Sequence, residues 1–268
     1  MNTVISKDGT KIVYDRSGSG EALILIYGAL GYRSFPLQQR LVELLSANFT
    51  VISYDRRGRG DSGDTQPYAV EREIEDLEAL IDAAGGSAYV YGVSSGAILA
   101  LEAAERLSDS IPKLALYEPP LILDGSRPPL PQDYVEQLNA AIASGRRDQA
   151  LEIFMTQALL IPAEYLAPMK SSPMWNDFLA VAHTLAYDGM VSRDVMAGKP
   201  LPPGKWSRVA SSTVIMTGEL SEPFFHEAAK KLAEQLPNGK CQTLPGQGHD
   251  VAPDAVAPAL VEFFSRQG

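Results

Sequence analysis

The fold is decided by the stretch Ala88-Tyr89-Val90-Tyr91-Gly92-Val93-Ser94-Ser95-Gly96-Ala97-Ile98-Leu99-Ala100. Its β-branched and aromatic first part predicts a short strand. A Gly-x-Ser-x-Gly motif follows, and the small and aliphatic residues after it predict a helix. This context is typical of a nucleophile elbow, a sharp turn that raises a serine above the end of a strand. Ser94 is therefore the candidate nucleophile.

The glycines of this motif have a steric role. Side chains at Gly92 and Gly96 would crowd the neighbouring strand and helix. The backbone N–H of Ser95 would then lie at a helix N-terminus, where it can stabilise a developing oxyanion.

Composition narrows the class of protein. The 268 residues are 45% hydrophobic and 21% charged, which is enough apolar material for one large α/β domain. A net charge of −10 without a basic cluster argues against nucleic-acid binding. Cys241 is the only cysteine, so no intrachain disulfide can form.

The N-terminus has no apolar signal-peptide region, and no apolar run is long enough to cross a bilayer. We therefore expect a cytoplasmic, soluble protein that does not bind membranes. The sequence leaves open whether the protein forms a homodimer.

Strands and helices alternate along most of the chain, which favours a mostly parallel sheet with right-handed crossovers. An N-terminal hairpin precedes it. Between about Leu121 and Arg208 the alternation stops, and helices are predicted at 132–144, 147–160, 163–170, 174–187 and 192–197. We interpret residues 121–208 as a helical cap inserted after the sixth strand, with residues 1–120 and 209–268 forming the core.

Five of the seven methionines and both tryptophans fall within this cap region. They suggest an apolar pocket above Ser94, although such residues equally suit the core of the cap itself. The candidate pocket residues are Leu30, Met155, Met174, Trp175 and Phe178.

A serine nucleophile needs a base within hydrogen-bond reach, usually a histidine. His183 lies within a predicted cap helix, and His226 begins a helix after two phenylalanines. His249 lies in a glycine-flanked loop after the last predicted strand, at the sheet edge where α/β proteins bind ligands. We therefore predict that His249 is the general base and acid.

The glycine-rich turn Asp55–Gly63 contains three arginines. Its spacing matches neither a phosphate-binding loop nor a dinucleotide-binding turn. We interpret it as a structural loop.

Over essentially its whole length the chain resembles the α/β-hydrolase fold family. The motifs that carry the resemblance are Tyr27-Gly28-Ala29-Leu30-Gly31, Asp55-Arg56-Arg57-Gly58-Arg59-Gly60-Asp61-Ser62, Gly92-Val93-Ser94-Ser95-Gly96 and Gly248-His249. Tyr27 departs from the histidine usual at its position. The resemblance implies the order nucleophile, acid, histidine. It also implies an oxyanion hole from the N–H groups of Ser95 and Ala29, with Gly28 as the alternative donor.

The acid is absent from the position where many family members carry it, because Ser221 stands there. Glu118, after the sixth predicted strand, resembles the acid of some haloalkane dehalogenases and of zearalenone-type lactonases. Since position matters more than residue type for orienting a histidine, Glu118 is the predicted acid. Glu222 and Glu219 are the alternatives.

The sequence therefore predicts a serine hydrolase of esterase or lactonase type that uses no cofactor and no metal. Its expected partner is a small-to-medium hydrophobic ester or lactone. Alternatives are a C–C bond hydrolase or an acyltransferase on the same fold, or a non-catalytic receptor for a small ligand.

Overall fold

The structure, a computed structural model, describes residues 1–266. Its strands are β1 (Asn2–Ile5), β2 (Lys11–Ser17), β3 (Ala22–Ile26), β4 (Thr50–Tyr54), β5 (Tyr89–Val93), β6 (Lys113–Tyr117), β7 (Ser212–Gly218) and β8 (Gly239–Leu244). They form one sheet in the order β1-β2-β4-β3-β5-β6-β7-β8. Only the pairs β1–β2 and β2–β4 are antiparallel, which confirms the prediction of a mostly parallel sheet preceded by a hairpin.

Ten α-helices accompany the sheet within the described residues. They are α1 (Pro36–Leu45), α2 (Val70–Ala84), α3 (Ser95–Arg106), α4 (Tyr134–Ala143), α5 (Arg147–Ile153), α6 (Leu166–Lys170), α7 (Pro173–Val181), α8 (Leu185–Ser192), α9 (Pro223–Gln235) and α10 (Pro253–Ser265). Within residues 1–266 no helix is both long enough and apolar enough to span a membrane.

Alternating side chains of the central strands enter two separate apolar layers. In β3, Ile24 and Ile26 join the layer that contains residues of α2, α3 and α9, whereas Leu23 and Leu25 join the layer of α1 and α10. All four side chains are fully buried. This is the expected consequence of the two-residue repeat of a strand that is covered on both faces.

The segment between β6 and β7 is helical and contains α4 to α8, which confirms a helical cap after the sixth strand. It has an apolar core of its own, centred on Leu138, Leu151, Trp175 and Leu185. Helix α8 begins inside the predicted 174–187 helix and continues through Asp188 and Gly189. Aspartate and glycine have low helix propensity, which explains why the sequence did not predict a helix there.

Candidate active site

Ser94 lies at the turn between β5 and α3 in a backbone conformation that a side chain rarely adopts, with φ 55° and ψ −127°. Its own N–H donates a hydrogen bond to the carbonyl of Tyr117 at 2.9 Å. Such a conformation costs of the order of 1–3 kcal/mol and persists only where surrounding contacts enforce it. Glu118, after β6, also has a positive φ, 46°, so the strained backbone includes both the candidate nucleophile and the candidate acid.

The two glycines of the motif allow this turn to pack against the sheet. A Cβ added at Gly96 would lie 2.4 Å from the carbonyl oxygen of Ile26, and one added at Gly92 would lie 2.5 Å from the carbonyl oxygen of Gly96. Both distances are impossible for real carbon atoms, which confirms the predicted crowding.

The structure brings His249 and Glu118 together. His249 Nδ1 lies 2.8 Å from Glu118 Oε2, and Glu118 is fully buried directly after β6. The other carboxylate oxygen, Oε1, accepts the N–H of Gly218 at 2.7 Å and the hydroxyl of Ser221. A buried carboxylate needs such donors, and here the hydroxyl at the commoner acid position is one of them.

The alternative acids lie elsewhere. Glu222 Oε1 is 3.9 Å from Arg127 Nη1, and Glu219 Oε2 accepts the N–H of Gly246 at 2.9 Å. Among the described residues, neither carboxylate hydrogen-bonds to His249. Both follow β7 in the stretch that leads to α9, and each side chain has a different partner from the imidazole.

Two further contacts hold the imidazole of His249. The ring of Phe225 stacks on it with a centroid separation of 4.7 Å and an angle of 13°. The hydroxyl of Tyr117 donates to the carbonyl of Gly248 at 2.6 Å and fixes the loop. With Nδ1 engaged by Glu118, Nε2 is the ring nitrogen left to act on a substrate.

The other two histidines are outside this arrangement. His226 Nδ1 lies 3.2 Å from Thr217 Oγ1, and His183 is in the cap. Burial lowers the pKa of His183, and the nearby Arg147 adds to the effect.

Ser94 and His249 line one cavity of about 250 Å³, together with Ser95 and Ala29. In the described part of the chain, neither the N–H of Ser95 nor that of Ala29 has a hydrogen-bond acceptor. Gly28 packs so closely that a Cβ there would lie 3.0 Å from Ser94 Cβ. Ser95 and Ala29 thus line the same cavity as Ser94, and Gly28 packs against the Ser94 side chain.

The predicted pocket residues do not line this cavity, so that prediction was wrong. Leu30, Met155 and Trp175 are buried in the core of the cap, and Phe178 packs against that core. Met174 is half exposed. Apolar residues at helical spacing face the interior of the cap because its helices must bury a stripe against one another. The apolar part of the cavity wall is formed by other residues, including Leu130, Tyr134, Phe154, Leu159 and Met196.

Sequence reasoning missed a buried charge cluster beside the elbow. Asp188 of α8 lines the cavity and receives Arg56 Nη1 at 2.6 Å, Arg59 Nη2 at 2.5 Å and Ser95 Oγ at 2.8 Å. Burial by itself would raise the pKa of Asp188, but Arg59 and Arg56 outweigh it and hold this pKa below its ordinary value. The carboxylate is therefore charged and fully paired.

The same two arginines reach the rest of the site. Arg59 Nη1 donates to the carbonyls of Gly28 at 2.6 Å and Gly31 at 3.1 Å. Arg56 forms a two-point pair with Glu73, at 2.7 and 2.6 Å. We call Arg56, Arg59, Glu73 and Asp188 the charge cluster. The only sequence signal was three arginines directly after a buried strand at the ligand-binding edge.

Comparisons with known proteins agree with this architecture. An alpha/beta hydrolase from Sphaerobacter thermophilus DSM 20745 is 50% identical with a TM-score of 0.90, covering 98% of this chain and 100% of that one. The enol-lactonase from Burkholderia xenovorans LB400 is 19% identical with a TM-score of 0.70, covering 99% of this chain and 100% of that one. At that identity the likeness concerns the fold alone.

A curated relative, the uncharacterized hydrolase YraK of Bacillus subtilis (strain 168), is 29% identical over 143 residues. The match covers 51% of this chain and 52% of that protein, so it spans about half the length of the relative. The model of the alpha/beta hydrolase family matches residues 23–259. This match covers most of the chain, and with the sheet order and the elbow on β5 it shows that the chain belongs to the alpha/beta hydrolase family.

Proposed function

We propose that this hydrolase cleaves a carboxylic ester or a lactone through an acyl-enzyme on Ser94. The observation that carries the proposal is the 2.8 Å contact of His249 Nδ1 with Glu118 Oε2 at the cavity that Ser94 also lines. A serine, a histidine and a buried carboxylate in this relation are the components of nucleophilic acyl transfer.

In the first half-reaction, Ser94 Oγ attacks the carbonyl carbon while His249 Nε2 takes its proton. Glu118 accepts the Nδ1–H of His249 and stabilises the imidazolium that forms. The N–H groups of Ser95 and Ala29 hold the oxyanion, each contributing about 3 kcal/mol of transition-state stabilisation. The tetrahedral intermediate collapses when His249 returns the proton to the alkoxide oxygen. In a lactone, this oxygen stays tethered to the acyl group.

In the second half-reaction, His249 removes a proton from water, and the hydroxide attacks the acyl carbon. Collapse returns Ser94 Oγ as the leaving group, which takes the proton from His249, and releases the carboxylic acid. The chemistry needs only groups of this chain, water and substrate.

The cavity limits the substrate. Its volume of about 250 Å³ lies near the lower end of ligand pockets, which hold about 300–1,000 Å³. Tyr134, Phe154, Leu159 and Met196 form an apolar wall. These features support a substrate of small to medium size with an apolar body.

The proposal is tested with a fluorophosphonate probe and panels of p-nitrophenyl esters and lactones. We expect labelling of wild type and none of Ser94→Ala, with ester or lactone turnover lost in parallel. If Ser94 is not labelled, the serine-hydrolase proposal fails. Labelling without ester or lactone turnover would instead favour C–C bond cleavage or a receptor.

The role of Glu118 is tested with a matched pair of variants. Glu118→Gln keeps the shape of the side chain but removes the acceptor for the imidazolium, so kcat should fall by about 10⁴-fold. Glu222→Gln makes the same chemical change on a carboxylate beside Arg127 and should retain most of the rate. A loss confined to Glu222→Gln, with both variants folded, would reject Glu118 as the acid.

A further inference from the structure

Arg127 lies in the loop between β6 and α4 and lines the cavity with only 6% of its surface exposed. Within residues 1–266 it makes one hydrogen bond, from Nη2 to the carbonyl of Ala158 at 2.6 Å. A guanidinium carries five N–H donors. The nearest carboxylate, on the half-exposed Glu222, is 3.9 Å from Nη1 and beyond hydrogen-bond distance. The arginine is buried at the cavity with most of its donors unused.

This guanidinium is connected to the candidate catalytic histidine by aromatic contacts. Its Cζ lies 4.5 Å from the ring centroid of Phe224. The rings of Phe224 and Phe225 are 3.9 Å apart, and Phe225 stacks on His249 at 4.7 Å. Arg127 and His249 thus flank the same phenylalanine pair and line the same cavity, which puts a fixed positive charge in the cavity that also holds Ser94.

We propose that Arg127 binds a carboxylate carried by the substrate, so that the substrate class is an ester or lactone with a free carboxylate several bonds from its scissile carbonyl. The inference rests on the proposed ester or lactone hydrolysis and specifies its substrate. Burying a charge without a partner is costly, and a planar guanidinium matches a carboxylate through two parallel hydrogen bonds. The substrate supplies the hydrogen-bonded carboxylate that Glu222, at 3.9 Å, does not.

Among the described residues, no acidic side chain of the cavity hydrogen-bonds to Arg127. Asp188 is already paired with Arg56 and Arg59. Glu222 and Asp250 are exposed to solvent, which screens their repulsion of an incoming carboxylate. The positive charge of Arg127 is therefore the one that a buried anionic group of a ligand would contact.

The test measures kcat/KM for p-nitrophenyl hemiesters of succinate, glutarate and adipate. Each is matched with the uncharged p-nitrophenyl ester of equal carbon number. The readout is the ratio of charged to uncharged kcat/KM, because a structural defect would lower both values together. The series of chain lengths finds the spacing between Arg127 and Ser94.

For the best chain length, Arg127→Met should lower this ratio by about 10- to 100-fold, as expected for a hydrogen-bonded charge pair. Arg127→Lys should give an intermediate ratio because lysine keeps the positive charge but cannot make two parallel hydrogen bonds to a carboxylate. Glu222→Gln should raise the ratio by about two- to fivefold by removing a competing carboxylate. Arg193→Met, the same change at an exposed cap arginine outside the cavity, should leave the ratio as in wild type.

An unchanged ratio in Arg127→Met would overturn the proposal, and so would equal losses on both substrates. Calorimetric binding of glutarate, which has no scissile bond, provides a readout independent of turnover. Binding by wild type but not by Arg127→Met supports the carboxylate site even if no ester is cleaved, in which case only the proposed function fails. Equal binding of glutarate by both proteins, or by neither, rejects the site.

Discussion

Arg56, Arg59 and Arg127 are all almost completely buried, but they differ in how many hydrogen bonds their guanidinium groups make within the protein. Their exposed fractions are 2%, 1% and 6%. Arg56 and Arg59 each make four hydrogen bonds, whereas Arg127 makes one in the described part of the chain. Arg56 and Arg59 thus each use four of their five N–H donors, which leaves little for a ligand. The contrast therefore separates a charge that holds the site together from a charge that is open to a substrate.

The charge cluster connects three parts of the site. Asp188 comes from α8 of the cap, Ser95 from the elbow, and the carbonyls of Gly28 and Gly31 from the loop that follows β3. A movement of the cap at α8 would break bonds to both arginines at once. The cap and the loop that follows β3 therefore have a common anchor.

The largest expected effect is that of Asp188→Asn. The variant keeps the side-chain shape but leaves two buried guanidinium groups without their shared carboxylate. Removing one partner of a buried ion pair costs about 3–5 kcal/mol. We expect the free energy of unfolding, measured in urea by circular dichroism, to fall by that amount.

The control for this variant is Asp194→Asn, the same change at an exposed cap residue. Surface substitutions usually stay within about 0.5 kcal/mol. If both variants lost the same small amount, the cluster would not be the anchor that the contacts indicate.

The effect of Asp188→Asn should also depend on pH. Because Arg59 and Arg56 outweigh burial, the pKa of Asp188 in the folded protein lies below its ordinary value of 3.8. A carboxylate with a lowered pKa contributes its stability fully above the unfolded pKa and loses it as the pH falls through the folded pKa. The difference in unfolding free energy between wild type and variant should be constant from about pH 5 upwards and shrink below about pH 4. A difference that grew on acidification would contradict the direction of this shift.

A smaller effect is expected for Ser95→Ala, which removes the 2.8 Å hydrogen bond to Asp188 Oδ1 but leaves both arginines in place. Hydrogen bonds to charged groups contribute about 1.5–3 kcal/mol. The same urea titration should show a loss in that range, smaller than that of Asp188→Asn. Ser126→Ala, at an exposed loop serine, is the matched control.

The sequence predicted the features that depend on local pattern. The run of apolar residues in β3 and the Gly-x-Ser-x-Gly turn are recognisable from neighbours within a few residues, as the close packing of Gly92 on Gly96 illustrates. Glu118 came from the resemblance to enzymes that carry the acid after the sixth strand, and its carboxylate lies 2.8 Å from His249 Nδ1.

Features that depend on long-range pairing were not predictable in this way. Asp188 is 132 residues from Arg56 along the chain, and nothing local in either segment specifies the other. The prediction of the pocket residues was wrong for a related reason. Met155 and Trp175 have the apolar character of a cavity wall, but the same character suits the core of the cap. Only the packing of the cap helices decides which apolar residues face Ser94.

The smallest expected effect on stability is that of Arg127→Met. This variant loses one hydrogen bond and the contact with Phe224. It also removes a buried charge that no carboxylate hydrogen-bonds, and methionine can pack against the ring. Replacing a poorly paired buried ion by an apolar side chain of similar size is often neutral or stabilising. We expect the free energy of unfolding to change by less than about 1 kcal/mol, in contrast to the large loss in Asp188→Asn.

A loss as large as that of Asp188→Asn would mean that Arg127 is a structural residue like Arg56, and the contrast would fail. Unchanged or higher stability, together with loss of glutarate binding, would mean that the chain keeps a destabilising charge because its substrate requires it.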